Sequence, residues 1–254
     1  MANLLNNTTA LVTAGTSGLG RAFSTAFAEH GAAVAIHYRS DRDGALALAE
    51  SIRAGGGRSV AVHADLRDAE ATRAAFREAE SALGPLNVLI NNASVYVPPN
   101  PVETLAWDEM QTEFEGSVQT AFNATKAALP GMLERRNGRI LFLIGTMVQR
   151  PASGYAAHTA GKGALLAFAS TLAKEAGPRG IRVHCISPGM ALTPNVLAAV
   201  PLEAREALRV KTPTRSLPTP EELAGLAVFL ASPLSSSATL LHLNADGGLA
   251  DMGA

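Results

Sequence analysis

Residues 9–20 read TALVTAGTSGLG, an apolar run that gives way abruptly to three glycines at 15, 18 and 20. Thr9–Thr13 reads as a short buried strand and Gly18–His30 as a helix of 3.6 period. Glycines between a strand and a helix let the backbone turn tightly and approach a phosphate. The helix N-terminus behind them favours the negative charge. An ordinary strand-to-helix loop can look the same. Its place as the first βα turn of the chain favours a bound dinucleotide.

The same alternation continues to the C-terminus. Strands are expected at Ala33–Tyr38, Ser59–His63, Val88–Ile90, Arg139–Ile144, Arg182–Ile186 and Leu240–Leu243. Between them the apolar periodicity predicts helices at Arg42–Ala54, Ala69–Leu83, Glu103–Arg136 (broken once), Ser153–Ala176 and Pro220–Ala231. Nearly continuous apolar strands separated by helices indicate a parallel sheet covered on both faces. Right-handed crossovers make it a single-domain, doubly wound, Rossmann-like α/β fold of about seven strands spanning residues 1–254. Met190–Thr219 lacks clear periodicity and is expected to be a substrate lid rather than a disordered loop.

Composition narrows the function. Hydrophobic residues make up 47% of the 254 residues and charged ones 17%, enough for one large core. A net charge of -1 and the absence of any long basic run argue against nucleic-acid binding. Cys185 is the single cysteine, so no internal disulfide can form and a reducing compartment is expected. No signal-peptide pattern opens the chain, and no apolar stretch reaches the ~18 residues of a membrane span. A cytoplasmic protein without membrane or nucleic-acid partners is the expectation. The histidines lack ligand spacing, so no metal site is expected. Neither a paired-carboxylate site nor a nucleophile elbow is visible.

Two further stretches carry chemistry. After strand two comes HYRSDRDG, where NAD-binding folds usually place an acid for the ribose hydroxyls. Arg39 and Ser40 stand there instead, a cation and a hydroxyl suited to a 2′-phosphate, so NADPH/NADP+ is the expected cofactor. The other stretch is GYAAHTAGKGALL at 154–166, which puts His158 and Lys162 on one helical face, four residues apart.

Together, TAGTSGLG, Asp65-Leu66, NNAS at 91–94, Lys162 and SPGMALT at 187–193 resemble the short-chain dehydrogenase/reductase family over nearly the whole chain. IHYRS and NNASVY look most like its pteridine reductase and ketoreductase branches. The resemblance implies that Gly15, Ser17, Gly18, Leu19 and Gly20 form the phosphate turn, with Ser17, Gly18 and Leu19 in contact. It places the 2′-phosphate at Arg39 and Ser40, the adenine at Asp65 and Leu66, and the adenosine ribose side at Asn92, and it counts Ala93 among the cofactor-binding residues. Pro188 and Gly189 lead to Ala191 and Thr193, which would meet the nicotinamide carboxamide. Lys162 would bond the nicotinamide ribose. A homo-oligomer, most often a tetramer, is also implied, pairing the apolar faces of 116–133 and 155–172.

The catalytic positions depart from that pattern. The family's proton-donating tyrosine is replaced by His158, and its substrate-orienting serine by Gly145, with Thr146 next to it. Its helix asparagine aligns with Ser117. Ala14 and Leu240 replace two further glycines of the family. A neighbouring Lys162 is expected to favour the neutral imidazole, which still has one N–H to donate. The ring is shorter than a phenol, so its substrate atom must lie closer to the helix or be reached through water. Tyr155 is expected to pack rather than replace the missing donor.

Three functions remain open at this point. The first is NADPH-dependent reduction of a C=O or C=N group in a small cyclic or polyketide-like molecule, catalysed by His158, Lys162, Ser117 and Thr146. The second is a dehydratase, isomerase or cyclase that uses His158 as acid or base. The third is a redox-inactive NADP(H)-binding partner subunit. Val95–Pro101, Thr146–Ser153 and the 190–219 lid are expected to line the pocket, mostly with apolar or small groups.

Overall fold

A computed structural model describes residues 3–16 and 18–250. Seven parallel strands form one sheet in the order β3-β2-β1-β4-β5-β6-β7. They are β1 (Thr9–Val12), β2 (Ala33–Tyr38), β3 (Ser59–His63), β4 (Val88–Asn91), β5 (Gly138–Leu143), β6 (Ile181–Pro188) and β7 (His242–Ala245). The order reverses between β1 and β4, the switch point outside which such sheets bind ligands.

Each strand alternates its side chains between two cores, which is why the central strands are apolar throughout. Leu11, Ala35, Leu89, Ile140 and Val183 face α3 (Ala69–Leu83), α5 (Thr120–Glu134) and α6 (Ala156–Ala176). Ala10, Val34, Ile90, Leu141 and Ile186 face α1 (Gly18–Glu29), α2 (Arg42–Ala54) and α9 (Pro220–Ala231). Side-chain caps fix several helix starts: Asp41 accepts from Gly44 N, Asp68 from Glu70 N and Ala71 N, and Thr219 from Glu222 N.

Three expectations change. The segment expected to be helical from Glu103 begins helix only at α4 (Trp107–Glu113). Instead of breaking, it runs through a π-helical stretch, Phe114–Gln119, into α5. The 190–219 segment is not irregular throughout, because it holds α7 (Pro194–Ala199), capped by the Thr193 side chain, and α8 (Leu202–Arg209), preceded by Pro201 without a side-chain cap. The last strand starts at His242 rather than Leu240, because Leu240 has φ 60, a left-handed turn conformation that cannot extend a strand.

Candidate active site

The phosphate turn is held from below. Thr13 Oγ1 accepts from the backbone N–H of Asn92 and Ala93, both at 2.9 Å. Asn92 Nδ2 donates to the carbonyls of Thr13 (3.0 Å) and Ala14 (3.2 Å). Ala14 N donates to His37 Nδ1 at 3.1 Å, and His37 Nε2 lies 3.0 Å from the Ala64 carbonyl. A neutral ring protonated on Nε2 satisfies both contacts, and burial pushes His37 down to about 4. Ala14 itself has φ 49, the left-handed conformation for which glycine is better suited.

The glycines fit a phosphate cradle. A Cβ on Gly20 would lie 2.0 Å from the Ala14 carbonyl oxygen and 2.8 Å from Asn92 Nδ2. Gly15 is walled in by Ile36, Ser24 and Val12, each 3.0 Å from its missing Cβ. Gly18, at φ +53, is less crowded: its missing Cβ would meet the Thr193 methyl at 3.6 Å, an ordinary contact. The first turn of α1 carries no acid that would repel an anion. Ser17 lies outside the described residues.

From this turn a cavity of about 400 Å³ runs toward β2 and β3, lined by Arg39, Ser40, Asp65, Leu66 and Ala93. Arg39, Ser40, Asp65 and Leu66 are residues expected at the adenosine end, and the fold brings them together, whereas Asn92, expected at the adenosine ribose, lines the second cavity instead. Arg67 joins them, donating to Asp65 Oδ1 from Nε (3.0 Å) and to Oδ2 from Nη2 (2.5 Å). Those hydrogen bonds hold the Asp65 carboxyl down at about 2. Asp41, which also lines the cavity, is occupied in capping α2, and Glu115 adds a further acid to the wall. A second cation beside Arg39 was not anticipated from the sequence.

The other half of the site is a cavity of about 560 Å³ lined by Leu19, Asn92, Gly145, Thr146, His158, Lys162, Pro188 and Gly189, among others. His158 and Lys162 therefore share one cleft. Lys162 is only 5% exposed and donates from Nζ to the Leu143 carbonyl at 3.1 Å. Burial pushes its ammonium down to about 8, against the opposing pull of Glu113. Gly145 sits across from the histidine. Thr193 caps α7 by accepting from Val196 N, and Ala191 is buried beside it.

Ser117 does not line this cavity. Its hydroxyl donates to Glu113 Oε1 at 2.7 Å and lies 3.0 Å from Ser94 Oγ, and Ser94 does line it. Glu113 is fully buried, with Oε2 3.6 Å from His158 Nδ1. Burial pushes its carboxyl up, but His158, Ser117 and Lys162 together hold it below its ordinary value. Nothing in the sequence reading singled out Glu113. The available signal was its spacing, one helical turn before Ser117, in a segment that had to cover the cleft.

The pocket walls are mostly apolar or small, as expected, with cations added. Met147, Ala152, Met190 and Leu208 supply apolar surface, but Arg150 and Lys211 add two cations. Val95 and Tyr96 border the adenosine end instead. Tyr155 lines neither cavity. Among the described residues, no group of three or more His, Cys, Asp or Glu side chains could hold a metal ion, and no helix is long and apolar enough to cross a membrane.

Residues 13–250 match the family described as enoyl-(acyl carrier protein) reductase. The chain is 37% identical over 247 residues to an uncharacterized oxidoreductase of Mycobacterium tuberculosis, covering 96% of this chain and 93% of that one. A short-chain dehydrogenase/reductase from Serratia marcescens is 32% identical with a TM-score of 0.90, covering 97% of this chain and 99% of that one. A gluconate 5-dehydrogenase from Burkholderia cenocepacia, solved with NADP and tartrate, is 26% identical with a TM-score of 0.92, covering 99% and 98%. With a family match over residues 13–250, 32–37% identity to the Mycobacterium and Serratia relatives and near-complete coverage, the chain belongs to the short-chain dehydrogenase/reductase family of oxidoreductases.

Proposed function

We propose that this protein is an NADP(H)-dependent reductase of a C=O or C=N group in a small cyclic or polyketide-like molecule, with His158 as its proton donor. The observation that carries this reading is the shared cleft of His158 and Lys162 at the C-terminal edge of the sheet, continuous with the glycine turn through Leu19 and Asn92. When bound, the cofactor supplies the hydride. Lys162, fixed by the Leu143 carbonyl, would hold the nicotinamide ribose, and Arg39, Ser40 and Arg67 the 2′-phosphate. His158 would give a proton from Nε2 to the substrate oxygen or nitrogen as charge develops there. Thr146, at the cavity wall, would orient that atom in place of the missing serine. The 190–219 segment, which contributes Met190, Leu208 and Lys211 to the wall, would act as the lid.

A homotetramer in the cytoplasm completes the proposal. Supporting it, Phe122 on α5 stays 44% exposed beside Phe168 of α6, the rings tilted at 55° with centroids 5.9 Å apart. Light scattering at micromolar concentration checks it, and a lone monomer speaks against it.

The test of function is loss of NADPH absorbance with a panel of cyclic ketones, β-keto thioesters and cyclic iminium compounds. Turnover of at least one supports the reading. Tight NADPH binding with substrate conversion but no cofactor consumption favours a non-redox lyase or isomerase instead.

A further inference from the structure

The buried carboxylate of Glu113 has no place in the reaction as described so far, and its surroundings are specific. It sits at the end of α4, 0% exposed, where an isolated carboxylate is costly unless it is paired. Oε1 is satisfied by the Ser117 hydroxyl at 2.7 Å. Oε2 has no hydrogen-bond partner and points to the His158 ring, 3.6 Å from Nδ1. That distance is longer than a formed hydrogen bond and short enough to become one with a small ring movement. The chain also makes room for this approach. A Cβ on Gly161 would lie 2.8 Å from Glu113 Cγ, so any larger residue one turn along α6 would drive the carboxylate out.

We propose that Glu113 is a positioning residue that keeps a proton on His158 Nδ1, so that Nε2 is the nitrogen that gives and takes protons in the cleft. The inference rests on the reading of His158 given above. An anion facing Nδ1 selects the tautomer with N–H toward it, and a carboxylate behind a histidine stabilises the imidazolium that forms during turnover. In reduction the ring enters as the imidazolium, protonated on both nitrogens; the Nε2–H bond breaks and a bond from that proton to the substrate heteroatom forms, leaving the neutral ring. The ring keeps its Nδ1 proton against Oε2 and regains the other from solvent in the cavity. Other charges in reach are Lys162 on the same helix and Arg150 and Lys211 on the cavity wall, all cationic. Glu113 is the acid that balances them beside the ring. Ser117, at the position where the family has its asparagine, is then the residue that fixes the carboxylate.

The tautomer is directly readable by nitrogen NMR of the full chain carrying ring-labelled histidine. The His158 signals are identified by their loss in His158→Ala. At a pH where the ring is neutral, the wild-type proton should reside on Nδ1. In Glu113→Gln the amide would donate to Nδ1 and the proton should move to Nε2. Turnover should fall by roughly 10²-fold or more, with the NADPH Kd changed less than about threefold. In a His158→Ala background, Glu113→Gln should cost nothing further. A wild-type ring protonated on Nε2 overturns the proposal without any variant, and so does an unchanged tautomer in Glu113→Gln. Nδ1 protonation together with normal turnover in His158→Ala would leave the pairing intact and overturn instead the role of His158 in the reaction.

Discussion

Gly145 faces His158: a Cβ built on the glycine would lie 3.8 Å from Nε2 of the ring. The two positions at which the family keeps serine and tyrosine thus remain opposite each other here, although both side chains have changed. Gly145 also has φ +135, a conformation that L side chains rarely adopt. Restoring the serine therefore requires the backbone to move. Gly145→Ser should cost about 1–3 kcal/mol and lower the Tm by several degrees. The double variant Gly145→Ser with His158→Tyr should stay feebly active in a steady-state assay. Full activity would show that the loop adapts freely.

Cofactor choice should follow Arg39. A paired 2′-phosphate supports at least roughly tenfold preference for NADPH over NADH, equivalent to about 1.4 kcal/mol. Fluorescence titration of wild type and Arg39→Ala with both cofactors checks this. The variant should lose most of the preference while NADH affinity changes little.

The phosphate turn should tolerate nothing larger at Gly20. With Ala14 O 2.0 Å and Asn92 Nδ2 2.8 Å from the new methyl, Gly20→Ala must displace the turn itself. Loss of NADPH affinity by about tenfold or more is expected in the same titration, with the helical circular dichroism retained.

His184 makes a separate prediction about stability. It is 0% exposed, neither ring nitrogen has a hydrogen-bond partner, and burial, with Arg139 and Arg182 nearby, pushes it down to about 4. Its folded value lies below the unfolded 6.5, so between these the unfolded chain binds the extra proton. Stability from this group is complete above about 6.5 and is lost as pH falls toward 4. His37 behaves alike, pushed by burial to about 4. His184→Leu removes the unsatisfied nitrogens and should stabilise by about 1 kcal/mol or more at pH 7. The gain should widen at pH 5, as denaturant melts at the two pH values would show.

The sheet was legible because its strands are buried on both faces, so Leu11, Ile36, Ile90 and Phe142 all lie in unbroken apolar runs. The phosphate turn was legible because its glycines are needed: a Cβ cannot fit at Gly20 and is crowded at Gly15. What escaped was set by three-dimensional accident of phase. A glutamate in a helix reads as solvated, and Glu113 is buried where α4 passes into the π-helical stretch and packs on α6 at Gly161. Arg67 carries no sequence signal of its own; only the fold, through its pairing with Asp65, brings it beside Arg39. The strand at Leu240 failed because backbone sign, not hydrophobicity, decides where β7 can start.

The central claim is that His158 moves the proton, and one comparison tests it most directly: turnover and NADPH Kd of His158→Ala against wild type, on a substrate identified from the panel. Removal of a general acid should lower kcat by roughly 10²–10⁴ and leave the cofactor Kd nearly unchanged, because in the proposed reading Lys162 and the glycine turn, not His158, would hold the cofactor. Near-normal kcat in His158→Ala would contradict the account and show the histidine to be a bystander in the cleft.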